Sequence, residues 1–383
     1  MSKFQPIVDF IRIQFPKQNL IPLHEPRFMG NEKKYVVDAI ESNYVSSIGP
    51  YVNRFEEMMT KLTGSKYAIA TVNGTSAIHV ALLVSGVTRE DEVLTQALTF
   101  IAGTNAIAYT GARPVFIDVN EETMGMSPLA LSSFLKSKIE MRKGVPHNKA
   151  TKKRIAACLP MHTFGFPCEI ETLTQLCQEW NIPLIEDAAE SLGSSYKGKH
   201  TGTFGQSGVF SFNGNKTVTC GGGGAIITND ERLARHAKHL TTQAKLEHAW
   251  EFNHDQIGFN YRMPNLNAAL ACAQLEQLDG FVVSKRELAR RYADFFQKTS
   301  IVFKREPKHC RANYWLNAIQ LESRTERDEF LQFTNSHGIT TRPVWSLMNT
   351  LPMFQDCQDD GLKTSVFLAD RLVNLPSSVS ILA

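Results

Sequence analysis

One lysine of this sequence lies in an unusually polar and glycine-rich segment. The segment reads SFNGNKTVTCGGGG from Ser211 to Gly224, with Lys216 near its centre. Glycines around a Lys-Thr pair can cradle phosphates, but a P-loop requires glycine directly before the lysine and a helix directly after it. Asn215 occupies the glycine position, and the four glycines lead into an expected strand, GAIIT. The order of residues therefore argues against a P-loop.

Covalent carbonyl chemistry suits this lysine better. A lysine amine forms a Schiff base with a carbonyl, and pyridoxal phosphate uses such a lysine together with a carboxylate beside its ring nitrogen. Asp187 ends another expected strand in IPLIEDAAESLG and is the candidate carboxylate. A carboxylate there keeps the pyridinium protonated, so that the ring can accept electrons when a substrate C–H bond breaks. Lys216 and Asp187 together predict a pyridoxal-phosphate site.

Short apolar segments alternate with helical patterns between residues 67 and 228. Strands that are apolar on both faces and separated by helices indicate a mostly parallel sheet covered on both sides. The helical patterns are TSAIHVALLVSG, FIAGTNAIAYTG, EIETLTQLCQEW and DERLARHAKHL. The strand patterns are YAIATV, DEVLT, RPVFIDV, RIAACLP, IPLIED, GVFSF and GAIIT. We therefore expect an α/β domain.

The pattern changes after residue 260. One long helix is expected over NLNAALACAQLEQLDGFVVSKRELARRYADFFQK, and mixed segments follow it. A chain of 383 residues exceeds the size at which one core usually suffices. We predict a large α/β domain at residues 1–260 and a small C-terminal α+β domain at residues 261–383, and we allow that the N-terminal segment packs on the small domain.

Composition excludes several classes of protein. Apolar residues make up 43% and charged residues 21%, which is typical of a globular protein. A formal charge of +3 and the lack of a long apolar run predict a cytoplasmic protein without a nucleic-acid or membrane partner. The seven cysteines contain no CxxC pair, so reduced thiols are expected. No metal is expected either, because His236 and His239 lack a third ligand nearby in sequence.

Residues 136–154 break this even distribution of charge. The segment KSKIEMRKGVPHNKATKKR contains eight Lys or Arg residues and a single acidic residue, Glu140. We interpret it as a solvated insertion, with attraction of a nucleotide diphosphate as the alternative.

Several motifs occur in the order of one known family. They are NGTSAIHVAL, LTFIAGTNAI, EDAAESLG, FSFNGNKTVTCGGGG and GFNYRMPNLNAALACAQL. With them the sequence resembles the DegT/DnrJ/EryC1/StrS nucleotide-sugar aminotransferases over nearly its whole length. The opening IPLHEPRFMGNEKKYVVDAIESNYVSSIGPYVNRFEEMM is similar to the branch that makes 4-amino-4,6-dideoxy-GlcNAc nucleotides for bacillosamine and legionaminic acid. The resemblance implies the fold type I architecture of pyridoxal-phosphate transferases, with a seven-stranded sheet, and a homodimer whose active site is shared between subunits.

The resemblance also implies roles for single residues. Lys216 matches the Schiff-base lysine and Asp187 the partner of the pyridine nitrogen. The NGT turn follows a strand and opens a helix, so the amides of Gly74 and Thr75 are expected to bind the cofactor phosphate. Ser211 matches the family's hydroxyl contact to that phosphate.

Four further positions match family residues around the cofactor. Phe100 matches the aromatic residue that stacks on the pyridine ring, with an ordinary core phenylalanine as the alternative. Asn260 matches the residue that reaches the phosphate across the dimer interface. Glu190 replaces a common family glutamine that contacts the ring hydroxyl, so we expect it to be protonated, displaced or compensated by a cation. His162 matches a position lining the site, with a structural histidine as the alternative.

Candidates for holding the sugar nucleotide are aromatic or basic residues of the C-terminal part. Such groups can hold a nucleobase or a diphosphate, but core or surface roles are equally open, so they stay outside the catalytic set. They are Tyr314, Trp315, Arg342 and Trp345.

The activity implied is amino transfer from L-glutamate to C4 of a nucleotide-linked 4-keto-6-deoxy-GlcNAc, with UDP preferred over GDP. Lys216 would act as the base that moves a proton from the donor's Cα. Amination of a 3-keto sugar, perosamine-type amination and a noncatalytic sugar-nucleotide sensor are the alternatives. A related group of sugar 3-dehydratases carries histidine in place of the lysine, so Lys216 argues against that activity.

Overall fold

The computed structural model describes residues 2–16 and 18–379. Its α-helices in these ranges are α1 (Gln5–Gln14), α2 (Glu32–Glu41), α3 (Pro50–Thr63), α4 (Gly74–Val84), α5 (Ile101–Tyr109), α6 (Pro128–Lys138), α7 (Ile170–Glu179), α8 (Glu231–Thr241), α9 (Asn265–Leu275), α10 (Leu278–Phe296), α11 (Arg324–Ser336) and α12 (Lys363–Ala369). Within these ranges, no helix combines the length and the apolar character that crossing a bilayer requires.

The strands in the same ranges are short. They are β1 (Tyr67–Thr71), β2 (Glu92–Gln96), β3 (Arg113–Ile117), β4 (Ile139–Arg142), β5 (Val145–Asn148), β6 (Ile155–Leu159), β7 (Ile185–Asp187), β8 (Ser195–Tyr196), β9 (Lys199–His200), β10 (Ser207–Ser211), β11 (Gly224–Thr228), β12 (Val302–Phe303), β13 (Cys310–Arg311), β14 (Asn317–Gln320), β15 (Arg342–Pro343) and β16 (Leu372–Leu375).

Seven of these strands form the central sheet, in the order β1-β11-β10-β7-β6-β2-β3. The ladders β1-β11-β10-β7 and β3-β2-β6 are joined where Cys158 pairs with Leu184 in parallel. In this sheet only β11 runs antiparallel to its neighbours. The expectation of a mostly parallel, seven-stranded sheet is therefore confirmed, and all seven apolar segments form its strands.

Helices cover both faces of the sheet because successive strand residues point to opposite sides. Ile226 packs in one core cluster with side chains of α4 and α8, whereas its neighbour Ile227 packs in another with α3 and α9. A third cluster places α6 and α7 against β2, β3 and β6. This arrangement leaves the carboxyl ends of the parallel strands open at one edge.

The helix expected over residues 265–298 is interrupted. The chain forms α9 and α10 with a turn at Glu276 and Gln277 between them, so the prediction of one continuous helix is wrong. At this turn, the side-chain amides of Gln274 and Gln277 both donate to Glu32 Oε1 at 2.6 Å. These bonds fix the break against α2.

The C-terminal residues form a four-stranded antiparallel sheet in the order β12-β14-β16-β15. Its core cluster also contains residues of α1, and Phe4 meets Phe330 edge-on at 5.2 Å between ring centroids. The N-terminal helix thus packs on the C-terminal sheet and its helices. α9, which follows residue 260, packs against α2 and α3. The division into domains at residue 260 stays a prediction.

Candidate active site

A pocket of about 290 Å³ opens at the carboxyl ends of the parallel strands. This edge is the usual place for ligands in open α/β sheets. Seven of the nine residues predicted for the site line the pocket: Gly74, Thr75, Phe100, Asp187, Glu190, Ser211 and Lys216. The structure therefore brings together residues that are up to 142 positions apart in the sequence.

Lys216 enters the pocket from the loop between β10 and β11. Its side chain is 13% exposed, and its Nζ donates to Glu190 Oε1 at 3.4 Å. The same ammonium lies 3.9 Å from the ring centroid of Trp315. The indole N–H of Trp315 donates to Asn215 O at 2.7 Å and so holds the lysine loop from the opposite side. Lys216 is thus positioned between a carboxylate and an aromatic face.

Glu190 is the buried acid of the pocket, with a side chain only 2% exposed. Its Oε2 accepts a hydrogen bond from the Phe164 amide at 2.8 Å. Burial raises the pKa of Glu190 to about 7, against the opposing effects of Lys216 and the Phe164 amide. The sequence predicted protonation, displacement or a compensating cation at this position, and the structure places Lys216 beside it.

Asp187 ends β7 at the floor of the pocket and is nearly inaccessible to solvent. Its Oδ1 accepts from the Ala189 amide at 3.1 Å. Burial raises the pKa of Asp187 above its ordinary value, and the Ala189 hydrogen bond and the charge of Lys216 act in the opposite direction. A carboxylate held in this way can bind a protonated ring nitrogen, because the positive charge of that nitrogen would favour the ionised form of Asp187.

His162 lies behind the pocket wall. Its Nδ1 accepts from the Cys168 amide at 3.2 Å, which leaves the proton on Nε2, 3.0 Å from Glu186 Oε2. Glu186 Oε1 in turn accepts from the amides of Phe204 and Gly205. Both ring nitrogens are bonded to protein and His162 does not line the pocket, which agrees with the alternative of a structural histidine, so its role at the cofactor stays a prediction.

The first turn of α4 is suited to an anion. Asn73 caps the helix by accepting from the Ser76 amide at 2.8 Å. Among the described residues, the amides of Gly74 and Thr75 have no hydrogen-bond acceptor. A Cβ added at Gly74 would lie 2.9 Å from the Cβ of Ser211, so only glycine lets the two segments come this close. Two free amides, the helix N-terminus and a hydroxyl are therefore suited to hold a phosphate, and they are called the phosphate cradle below.

The four glycines after Lys216 have different requirements. Gly221 is the only one of them with a positive φ, at 79°. Gly223 and Gly224 are needed for close packing, since added Cβ atoms would lie 2.4 Å from Cys220 Sγ and from Asn73 O, respectively. Gly224 thus lets β11 pass directly beneath the turn that caps α4.

The mouth of the pocket is aromatic. Phe100 is 49% exposed, which excludes the alternative of a core phenylalanine. Its ring meets Trp345 edge-on at 6.2 Å, and Trp345 also packs on Phe164 at 5.1 Å. Trp315 and Trp345 therefore line the pocket, although the sequence left their roles open. A planar ring or a nucleobase can stack on such surfaces.

Three other candidate residues lie elsewhere. The Tyr314 ring is buried against Phe166, and its hydroxyl accepts from the Glu306 amide. Arg342 donates to Asn335 Oδ1 at 2.9 Å. Asn260 is exposed and does not line the pocket of its own chain. Its predicted contact with a partner subunit stays a prediction.

The residues present fit pyridoxal phosphate. The pocket offers a primary amine for the aldehyde, a carboxylate, a phosphate cradle with free amides and an exposed aromatic ring. In the described residues, no group of three or more His, Cys, Asp or Glu side chains is placed to hold a metal ion.

Comparison with known proteins supports the fit of this pocket to pyridoxal phosphate. The family model of the DegT/DnrJ/EryC1/StrS aminotransferase family matches residues 27–382. A relative from Escherichia coli O157:H7, "GDP-perosamine synthase", is 39% identical over 361 residues, covering 94% of each chain. A Bacillus subtilis (strain 168) relative, "Putative pyridoxal phosphate-dependent aminotransferase EpsN", is 38% identical over 87% of this chain and 84% of its own.

Solved structures show the same fold. A DegT DnrJ EryC1 StrS aminotransferase from Brucella abortus matches with a TM-score of 0.82 and 25% identity, over 92% of this chain and 91% of its own. The pocket chemistry, the fold and the relatives agree on fold type I and on pyridoxal phosphate as the cofactor. The chain belongs to the DegT/DnrJ/EryC1/StrS aminotransferase family and is a pyridoxal-phosphate-dependent sugar aminotransferase.

Proposed function

We propose that this protein transfers the amino group of L-glutamate to C4 of a nucleotide-linked 4-keto-6-deoxy sugar in the cytoplasm. The observation that carries the proposal is the placement of Lys216 in one pocket with Asp187 and the phosphate cradle. A lysine amine with neighbouring carboxylates can serve both as an attachment point and as a proton carrier.

Pyridoxal phosphate, when bound, supplies the carbonyl that exchanges amino groups and a ring that accepts electrons. Lys216 would hold its aldehyde carbon, Asp187 its ring nitrogen, and Gly74, Thr75 and Ser211 its phosphate. Lys216 Nζ would also be the base that takes the proton from the amino donor's Cα.

Glu190 and Trp315 orient this base. Glu190 Oε1 accepts from Lys216 Nζ, and the Trp315 ring lies against the same ammonium, so the amine is held on one side of the pocket. The rings of Trp315, Trp345 and Phe100 leave a surface on which part of a sugar nucleotide can pack. A noncatalytic sensor has no need for a buried lysine and acid in contact.

The choice of sugar nucleotide rests on the relatives. The UDP-linked GlcNAc derivative expected from the opening segment is not supported by the name of the Escherichia coli relative, which favours the perosamine-type alternative with a GDP-linked sugar. We therefore place a GDP-linked 4-keto-6-deoxy hexose first and keep the UDP-linked GlcNAc derivative as the rival substrate.

We also propose a homodimer with a shared active site. Asn260 is exposed and outside its own pocket, as a residue that serves the partner's pocket must be. If so, Asn260→Ala should weaken cofactor binding while leaving the dimer intact in light-scattering measurements. Unchanged cofactor affinity in a dimeric variant would contradict the shared site.

The substrate is tested by incubating the holoenzyme with L-glutamate and a panel of GDP- and UDP-linked 4-keto and 3-keto sugars, with mass spectrometry of the products. We expect an amino sugar from the GDP-linked 4-keto compound together with 2-oxoglutarate. Amination of 3-keto sugars alone would overturn the regiochemistry, and sugar binding without consumption of glutamate would favour a sensor.

A further inference from the structure

The small total charge of the chain conceals a local imbalance. Residues 136–154 contain eight Lys or Arg and one Glu, a formal charge of +7. Because the whole chain carries +3, all other residues together carry −4. The expectation of no nucleic-acid or membrane partner was based on the net charge of the whole chain. Residues 136–154, called the basic hairpin below, therefore need a separate explanation.

The basic hairpin is a paired and anchored part of the structure. β4 and β5 pair in antiparallel register around a two-residue turn, in which Lys143 and Gly144 have φ of 50° and 80°. Such a turn matches the twist of the paired strands. One face of the hairpin is anchored, because Ile139 is buried and Asn148 Nδ2 donates to Glu92 Oε2 at 2.8 Å. The remaining side chains are therefore presented on a fixed frame.

The lysines and arginines of the basic hairpin differ in their ion pairs. Arg142 pairs with Glu140, and Arg154 pairs with Asp91 at 2.6 Å. Within the described part of the chain, none of the six lysines has an ion-pair partner; they are Lys136, Lys138, Lys143, Lys149, Lys152 and Lys153. Lysine ammonium groups are hydrated point charges, whereas arginine makes the bidentate contacts that select single phosphates. The surface thus suits a diffuse layer of anions.

The hairpin is far from the catalytic pocket. It precedes β6 at the amino end of the strand, whereas Met161 beyond the carboxyl end lines the pocket. Seven residues of extended chain span roughly 20 Å, more than twice the screening length of about 8 Å at physiological ionic strength. Attraction of the substrate to the pocket is therefore a poor explanation of these charges.

Exposed apolar side chains accompany the lysines. Met141 and Val145, on the two strands beside the turn, are 42% and 37% exposed, but they lie on opposite faces of the hairpin because Met141 pairs with Pro146 and Val145 with Arg142. We infer that the basic hairpin docks this enzyme reversibly on an anionic phospholipid surface, with the unpaired lysines attracted to the headgroups. Residues 136–154 contain no Phe, Tyr or Trp on which a base could stack, so the segment is less suited to single-stranded nucleic acid.

The test is co-sedimentation of the holoenzyme with sucrose-loaded vesicles of phosphatidylcholine, with and without 30% phosphatidylglycerol. We expect binding only to the anionic vesicles, falling steeply with added salt. Replacing Lys143, Lys149, Lys152 and Lys153 by Gln should lower the partition coefficient roughly fivefold per lysine. The matched control replaces four exposed lysines elsewhere by Gln, at positions 61, 66, 298 and 363, and should retain most of the binding.

Aminotransferase activity without vesicles should be the same in both variants and the wild type, because none of these lysines lines the pocket. Equal loss of binding in both variants would show a general charge effect and overturn the assignment. Absence of binding to anionic vesicles at low salt would overturn it as well, as would tighter binding to a single-stranded oligonucleotide than to the vesicles.

Discussion

Lys216 Nζ lies 3.4 Å from Glu190 Oε1 in the pocket, and both side chains are largely removed from solvent. Burial raises the pKa of Glu190 to about 7, while the neighbouring ammonium favours its ionised form. The protonation of Glu190 therefore responds to small changes near neutral pH, and a bound cofactor carrying its own charges would shift the balance further.

Replacing Glu190 by Gln should change how stability depends on pH. The pKa of Glu190 rises from 4.5 to about 7 on folding, so its stabilising effect is present below pH 4.5 and is lost as the pH rises through 7. Cofactor-free wild type should lose on the order of 2 kcal/mol more than Glu190→Gln between pH 5 and 8. Urea unfolding at several pH values measures this. Parallel pH profiles for the two proteins would contradict the assignment.

Trp315→Phe should slow the reaction without unfolding the protein. The change keeps a ring beside Lys216 but removes the 2.7 Å hydrogen bond from the indole to Asn215 O. If this hydrogen bond contributes about 1 kcal/mol to transition-state stabilisation by positioning Lys216, its loss corresponds to roughly a fivefold fall in kcat/KM. Trp345→Phe is the matched control, since the Trp345 indole donates to no described residue. An equal effect of both changes on kcat/KM would argue against the role of the hydrogen bond.

Gly74→Ala should weaken cofactor binding. The new Cβ would lie 2.9 Å from the Cβ of Ser211 and would force the two walls of the phosphate cradle apart. We expect at least a tenfold rise in the Kd for pyridoxal phosphate, or about 1.4 kcal/mol, measured by absorbance titration. Gly280→Ala in α10 is the control, because a Cβ there meets nothing within 4 Å. If Gly74→Ala binds the cofactor as tightly as the control, the cradle is misassigned.

Lys285→Met should change the pH dependence of the free energy of unfolding in the direction opposite to that of Glu190→Gln. Lys285 in α10 is fully buried, donates to the main-chain oxygens of Trp315 and Ser377, and has its pKa lowered to about 7 by burial. Because folding lowers this pKa, wild-type stability should rise as the pH increases through 7. The gain relative to Lys285→Met should be on the order of 2 kcal/mol between pH 6 and 9. A difference between wild type and variant that does not vary with pH would contradict the shift.

The features predicted from the sequence are those that depend on residues close together in the chain. The seven strands and the positions of Lys216 and Asp187 follow from segments in which strand and turn signals are adjacent, whereas Ser211 was identified by the resemblance to a known family. The roles of Trp315 and Trp345 could not be predicted, because both residues lie about 100 residues or more after Lys216 in the sequence. Motif spacing does not show that the C-terminal sheet brings them to the pocket. The two interpretations of His162 could not be separated for a related reason. Its motif ends at the pocket, but the ring turns towards Glu186, a partner that spacing could not identify.

One further difference has a local signal in the sequence, and another depends on a long-range contact. The Lys-Gly pair at residues 143 and 144 is compatible with a tight hairpin turn, but neither interpretation of the basic segment included a pair of strands. The break between α9 and α10 depends on Gln274, Gln277 and Glu32, which are separated by more than 240 residues from one partner to the other. No helical periodicity predicts that contact.

The central claim is that Lys216 is the residue that holds pyridoxal phosphate. The direct measurement is borohydride reduction of the holoenzyme, followed by proteolysis and mass spectrometry to locate the pyridoxyl group. The account predicts the group on Lys216 alone, and predicts that Lys216→Ala carries no label while still folding. A pyridoxyl group on another lysine, or full labelling of Lys216→Ala, would contradict it.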